Sequence, residues 1–180
     1  MSLPRAPSQF VTAMAWISIA LGVLGTVSGL MQAALLPALP VEALLQPLQG
    51  ADATLPPALA WTFGHLQLLN LLSLLSSALF AWVSWGLLKR REWGRLGFIA
   101  FLVLGALAGI VGAAWFGHVL DGLGTLDGGE NVDPLLQSLQ SAMRTMMWLG
   151  AVMVVVLHGA IVWKLCAPAI RAEFVRTDSP

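Results

Sequence analysis

Residues Leu96–Leu120 read LGFIAFLVLGALAGIVGAAWFGHVL, without a single Asp, Glu, Lys or Arg. As an α-helix rising 1.5 Å per residue, this stretch is longer than the ~30 Å hydrocarbon core of a bilayer. Three more stretches of the same kind, Phe10–Leu36, Leu66–Leu88 and Thr145–Trp163, flank it in the chain. The expected fold is an all-α membrane protein, one four-transmembrane-helix bundle filling residues 1–180. Arg5 ahead of an apolar run resembles the start of a secretory signal, but Phe10–Leu36 far exceeds the about 7–15 residues of a signal's apolar region. It is read as a retained first span.

Composition agrees. Hydrophobic residues make up 58% of the chain and charged residues 10%, with a mean hydropathy of +0.82, far from the balance of a soluble domain. The formal net charge is +0, yet the signs are separated. Arg5, Lys89, Arg90, Arg91, Arg95, Lys164, Arg171 and Arg176 fall on one side of the predicted spans, and only Arg144 on the other. Glu42, Asp52, Asp121, Asp127, Glu130 and Asp133 occupy the loops opposite. The positive-inside rule then puts both termini in the cytoplasm, with the chain in a bacterial inner membrane. Trp61, Trp115 and Trp148 fall near the outer ends of spans, and Trp85, Trp93 and Trp163 near inner ends, as an aromatic belt would place them. The basic link Lys89–Arg95 reads as an interfacial anchor, with a lipid-headgroup site as its functional alternative. No basic face lies outside the membrane boundary, so nucleic acid is not an expected partner. The expected partners are the lipid bilayer and either another membrane protein or a second copy. Lone Cys166 is read as a small interfacial residue.

In the first outer loop, Val41, Leu44, Leu45 and Leu48 recur at helical spacing and predict a short amphipathic helix on the membrane surface. In the second, Asp121-Gly122-Leu123-Gly124 and Asp127-Gly128-Gly129 predict turns. Asp133-Pro134 reads as a helix start, so the fourth helix is expected to begin outside the membrane.

Two local echoes occur in the same order. Val23–Gly29 (VLGTVSG) matches Val103–Gly109 (VLGALAG), and Val41–Gln49 (VEALLQPLQ) matches Val132–Gln140 (VDPLLQSLQ). Two matches in one order favour a pair of repeated helical hairpins over compositional coincidence. Both copies of the first echo carry a small-residue face for helix packing, Gly25/Gly29 and Gly105/Gly109. The latter, extended by Ala108 and Gly112, is expected to be the closest helix contact. In span 2, Asn70, Ser73, Ser77 and Ser84 form a polar stripe, read as an inward packing face.

No span holds an Asp or Glu, which weighs against a proton relay. His65 and His118 near the outer ends, with Met143, Met146 and Met147 at similar depth, are candidates for a haem or copper site. No tight ligand spacing supports it, so ordinary interfacial histidines and core methionines are preferred and no cofactor is predicted. His158 lies deeper. Catalytic residues are not identified: serine elbows, phosphate loops and dinucleotide fingerprints are missing, so an enzyme is not expected.

The ten residues Gly22-Val23-Leu24-Gly25-Thr26-Val27-Ser28-Gly29-Leu30-Met31 resemble the conserved helix of the ExbB/TolQ/MotA proton-channel subunits. That resemblance implies a channel subunit with Thr26 facing a pore. The chain departs from the family pattern in lacking a large cytoplasmic domain and a Thr-lined partner helix. The leading expectation is a small multi-pass inner-membrane interaction or accessory subunit. A channel or transporter subunit and a haem- or copper-binding membrane protein are the alternatives.

Overall fold

The computed structural model describes residues 8–38, 57–125 and 134–175. Among these, every regular element is helical: α1 (Gln9–Leu35) with a 3₁₀ turn (Leu36–Ala38), α2 (Pro57–Gly64), α3 (Leu66–Leu88), α4 (Glu92–Thr125), α5 (Pro134–Leu165) and α6 (Pro168–Val175). Four of them, α1, α3, α4 and α5, are long and apolar enough to cross a membrane. The surface helix expected around 41–48 and the turn at 127–129 lie outside the described residues.

One expectation fails at the end of α4. The stretch Asp121–Gly124 does not turn but continues the helix to Thr125. Glycine costs a helix about 1 kcal/mol relative to alanine, so local propensity favours the turn. Asp121 of this segment forms an ion pair with Arg144 of α5, a contact that favours the helical course but is too exposed to offset two glycines by itself. α5 starts at Pro134, where a proline loses nothing because the first helical N–H has no partner.

The helices pack in chain order, α1 on α3, α3 on α4 and α4 on α5. The α1–α3 seam follows a coiled-coil rhythm. On α1, Val11, Ala15, Ser18, Gly22 and Gly29 are buried and Gly25 half-buried, alternating steps of four and three. On α3, Asn70, Leu74, Ser77, Ala81 and Ser84 keep the same alternation, which averages 3.5 residues and keeps one stripe facing the partner. The helices run antiparallel. A Cβ added to Gly22 would lie 2.8 Å from Ala81 Cβ, one on Gly25 2.7 Å from Ser77 Oγ, and one on Gly29 3.0 Å from Leu74 Cβ. Of the polar stripe, Asn70, Ser77 and Ser84 share this seam, whereas Ser73 is exposed one step off it.

A second close approach joins α3 to α4. A side chain on Gly94 would overlap the backbone of Gly86 and Leu87, and a Cβ on Gly97 would lie 3.0 Å from Val83 Cγ1. Gly105 and Gly109 are therefore not the closest contact. Added Cβ atoms there would sit 3.7 Å from His158 Nε2 and 4.0 Å from Val154 Cγ1, at ordinary van der Waals range. The short turn between α3 and α4 forces their ends together, while the imidazole and β-branched side chain opposite Gly105 and Gly109 hold α5 away.

The best-buried core lies at the end of the bundle carrying Lys89–Arg95, the basic end. Val11, Ala15, Val83, Leu87, Phe98, Leu102, Leu165, Ile170 and Phe174 pack there, drawn from α1, α3, α4, α5 and α6. Short α6 touches both α4 and α5.

Candidate functional site

The most elaborated polar structure is at this basic end, built around the α3–α4 turn. Arg91 N–H donates to the Gly86 carbonyl and Arg90 N–H to that of Leu87, both at 3.0 Å. This pair of bonds is a Schellman motif, which requires a left-handed residue after the helix end. That residue is Arg90, at φ 56°. A side chain here costs roughly 1–2 kcal/mol where glycine costs nothing.

The Arg90 side chain accounts for its retention. Its guanidinium pairs with Glu173 of α6, and donates to the Ser8 carbonyl at 3.3 Å and the Thr12 hydroxyl at 3.2 Å. Glu173 also accepts from the Ser8 backbone N–H, at 3.2 and 3.3 Å. One arginine thus ties the start of α1, the turn and α6 together. Burial lowers its pKa from the ordinary arginine value, but a guanidinium stays charged at any physiological pH.

Arg95, which is buried, does the same for the other hairpin. It pairs with Glu92 one turn earlier, donates to the terminal α5 carbonyl of Leu165 at 3.5 Å, and lies 5.9 Å from the Phe174 ring centroid. A cation on the last carbonyl of a helix satisfies an otherwise orphaned acceptor.

Sequence reading treated this link as an anchor and missed Glu173, Ser8 and Phe174. A signal was available. Glu92, Glu173 and, outside the described residues, Asp178 are acids on the basic side, and Arg144 is the one base on the acidic side. Each of these charges among the described residues is in an ion pair: Glu92 with Arg95, Glu173 with Arg90, and Arg144 with Asp121.

Within the spans, polar groups are spent mainly on helix backbone. Asn70 Nδ2 donates to the Gly29 carbonyl across the seam at 3.1 Å, and the Ser84 hydroxyl to the Phe80 carbonyl at 2.7 Å. Thr26, the residue the proton-channel resemblance would aim into a pore, is half-buried and donates to the Gly22 carbonyl at 2.8 Å. Asn70 Oδ1 is buried with no hydrogen-bond partner among the described residues. Asn70 and Gln67 also line a cleft of ≈ 210 Å³ with Ala33, Leu36, Leu71 and Leu74.

The histidine and methionine candidates lie at the opposite, acidic end. His65 Nδ1 donates to the Trp61 carbonyl at 2.8 Å, and its ring stacks on Trp61 with centroids 4.7 Å apart. Trp61 in turn meets Trp115 edge-on at 5.9 Å. His118 is exposed, one turn beyond Trp115, and Met143 and Met147 are exposed on α5. Among the described residues no three His, Cys, Asp or Glu side chains converge as metal ligands would.

No protein-family model, curated protein or solved structure gives a significant match to this chain.

Proposed function

We propose that this protein is an interaction or accessory subunit of a bacterial inner membrane, with both termini in the cytoplasm, rather than an enzyme. The observation that carries the reading is the coverage of α5. Only 6% of its apolar span is buried inside the protein, against 22% for α1 and for α3. Met146, Met153, Val156 and Trp163 are all more than half exposed along it. Lipid is as apolar as these side chains, so exposure alone drives no association; what favours a partner helix is close van der Waals fit. Gly159 and Ala160, also exposed on α5, supply small-residue surface for such a fit. The partner is a membrane helix of another protein or of a second copy.

The test is a photo-crosslinking residue in place of Met153, with one in place of Leu24 on α1 as control, both exposed to a similar degree. A discrete protein adduct from position 153 alone is expected. Lipid adducts alone from both positions would remove the accessory reading. A channel or transporter reading has the unpartnered Asn70 oxygen and its cleft in its favour. Ion flux in proteoliposomes that vanishes in Asn70→Leu would replace the present proposal with that one.

A further inference from the structure

We propose that the α3–α4 turn is a binding site for the phosphate headgroup of an anionic phospholipid in the leaflet at the basic end. Three observations converge on this corner of the molecule.

The first is the disposition of charge. Arg90 and Arg95 are committed to Glu173 and Glu92. The left-handed turn at Arg90 sends that side chain back into the protein, while Lys89 and Arg91 on either side stay exposed. Neither Lys89 nor Arg91 has an acidic partner among the described residues. Two cations two residues apart at one membrane edge are thus left to a ligand that must itself be negative.

The second is the aromatic surface beneath them. Trp82 and Trp85 lie at helical spacing on α3 and Lys89 caps its end, with Lys89 Nζ 5.2 Å from the Trp85 ring centroid. Trp93 from α4 comes within 5.2 Å of Trp82, centroid to centroid. The three indoles are 61%, 48% and 40% exposed. Indoles settle at headgroup depth, with the ring among acyl chains and the N–H toward polar groups.

The third is that the surface is built into the fold. Trp93 lies against Gly86, where an added Cβ would be 2.5 Å from its ring. The absence of a side chain at 86 is what lets Trp93 reach across to Trp82. A phosphodiester held by Lys89 and Arg91 would have its acyl chains lie along the tryptophans. An inorganic phosphate or a soluble phosphate ester would use the cations but leave the indoles idle.

The experiment uses the full chain in mild detergent. Phosphatidylglycerol and phosphatidylcholine of equal chain length are titrated in, and bound lipid is read by native mass spectrometry. Tryptophan quenching by brominated forms of both lipids is the second readout. Phosphatidylglycerol should bind preferentially. Juxtamembrane cations favour anionic lipid by about five-fold each, so Lys89→Gln with Arg91→Gln should lose most of the preference. Lys164→Gln with Arg171→Gln should lose distinctly less of it, and Trp93→Phe should reduce quenching by the brominated phosphatidylglycerol. Inorganic phosphate at matching concentration should not displace the lipid. Equal loss in the two double variants, no preference in wild type, or displacement by inorganic phosphate would each overturn the assignment.

Discussion

The hairpins α1–α3 and α4–α5 carry the same glycine motif and use it differently. An offset of 80 residues carries Ala15, Ser18, Gly22, Gly25 and Gly29 onto Arg95, Phe98, Leu102, Gly105 and Gly109. The first three of the latter are buried, and the two glycines face α5. The buried positions thus coincide, although Phe98 stacks on Phe80 of α3 rather than on α5, and so does the antiparallel pairing: Leu74 opposes Gly29 and Val154 opposes Gly109. The contact distance differs because of what stands opposite. Gly22 meets an alanine and Gly25 a serine, so α1 and α3 come nearly backbone to backbone; Gly105 meets His158, whose ring holds the helices apart. A small-residue motif permits close packing, but only a small partner realises it.

The strongest way to break this comparison is Gly25→Leu. Its side chain would enter space where Ser77 Oγ is 2.7 Å from a bare Cβ. The expected cost is about 3 kcal/mol, the upper part of the usual range for overpacking, read as a lower melting temperature in detergent with normal membrane insertion. If Gly25→Leu melts with wild type, the seam is not close-packed.

Arg90 offers the next largest effect and sharpens the role of the turn between the hairpins. Arg90→Ala keeps the left-handed strain and loses the contacts to Glu173, Ser8 and Thr12, for an expected loss of about 2 kcal/mol. That figure is set below the 3–5 kcal/mol of a fully buried pair because both partners are partly exposed. Arg90→Gly loses the same contacts but removes the strain, so it should recover about 1 kcal/mol of that loss. Chemical denaturation of both variants checks the order; an alanine variant as stable as the glycine one would show that the turn is unstrained.

Smaller again is Asp121→Ala, which removes the exposed ion pair to Arg144. An exposed pair is worth about 0–1 kcal/mol, so global melting should barely move. Hydrogen exchange in the last turns of α4 should nevertheless quicken, since this pair opposes fraying of the Asp-Gly segment. Unchanged exchange there would mean that the helix extends for another reason.

The smallest effect is predicted for Gly109→Leu. With Val154 at 4.0 Å from an added Cβ, the α4–α5 gap takes the side chain with slight adjustment. A cost within about 0.5 kcal/mol is expected, the range of a surface substitution. A loss matching that of Gly25→Leu would erase the difference between the two hairpins.

Much of the basic end was partly legible in the sequence. A charge standing on the wrong side of a strong segregation needs a partner, because an acid among bases at a membrane edge is favoured only where a base lies close. Glu173 and Glu92 mark internal pairs on that ground, whereas their choice of Arg90 and Arg95 over Lys89 and Arg91 depends on the turn. The left-handed residue was not legible, since arginine is a poor occupant of that conformation and only its side-chain contacts justify it. The continuation of α4 through Asp121–Gly124 was hidden as well: its ion-pair partner, Arg144, comes from the next helix.

The sequence by itself determined the four apolar helices, the bounds of α3, the start of α5 at Pro134 and the separation of charge between the two ends. These follow from one helix at a time, because crossing hydrocarbon demands about 20 apolar residues and satisfied backbone hydrogen bonds, whatever the neighbours are. Only the tertiary structure decided which glycine face packs tightly, which arginines turn inward and which tryptophans gather at the α3–α4 turn. Those outcomes are set by pairs of residues on different helices, and a contact distance is a property of both partners, one of which lies tens of residues away in the chain.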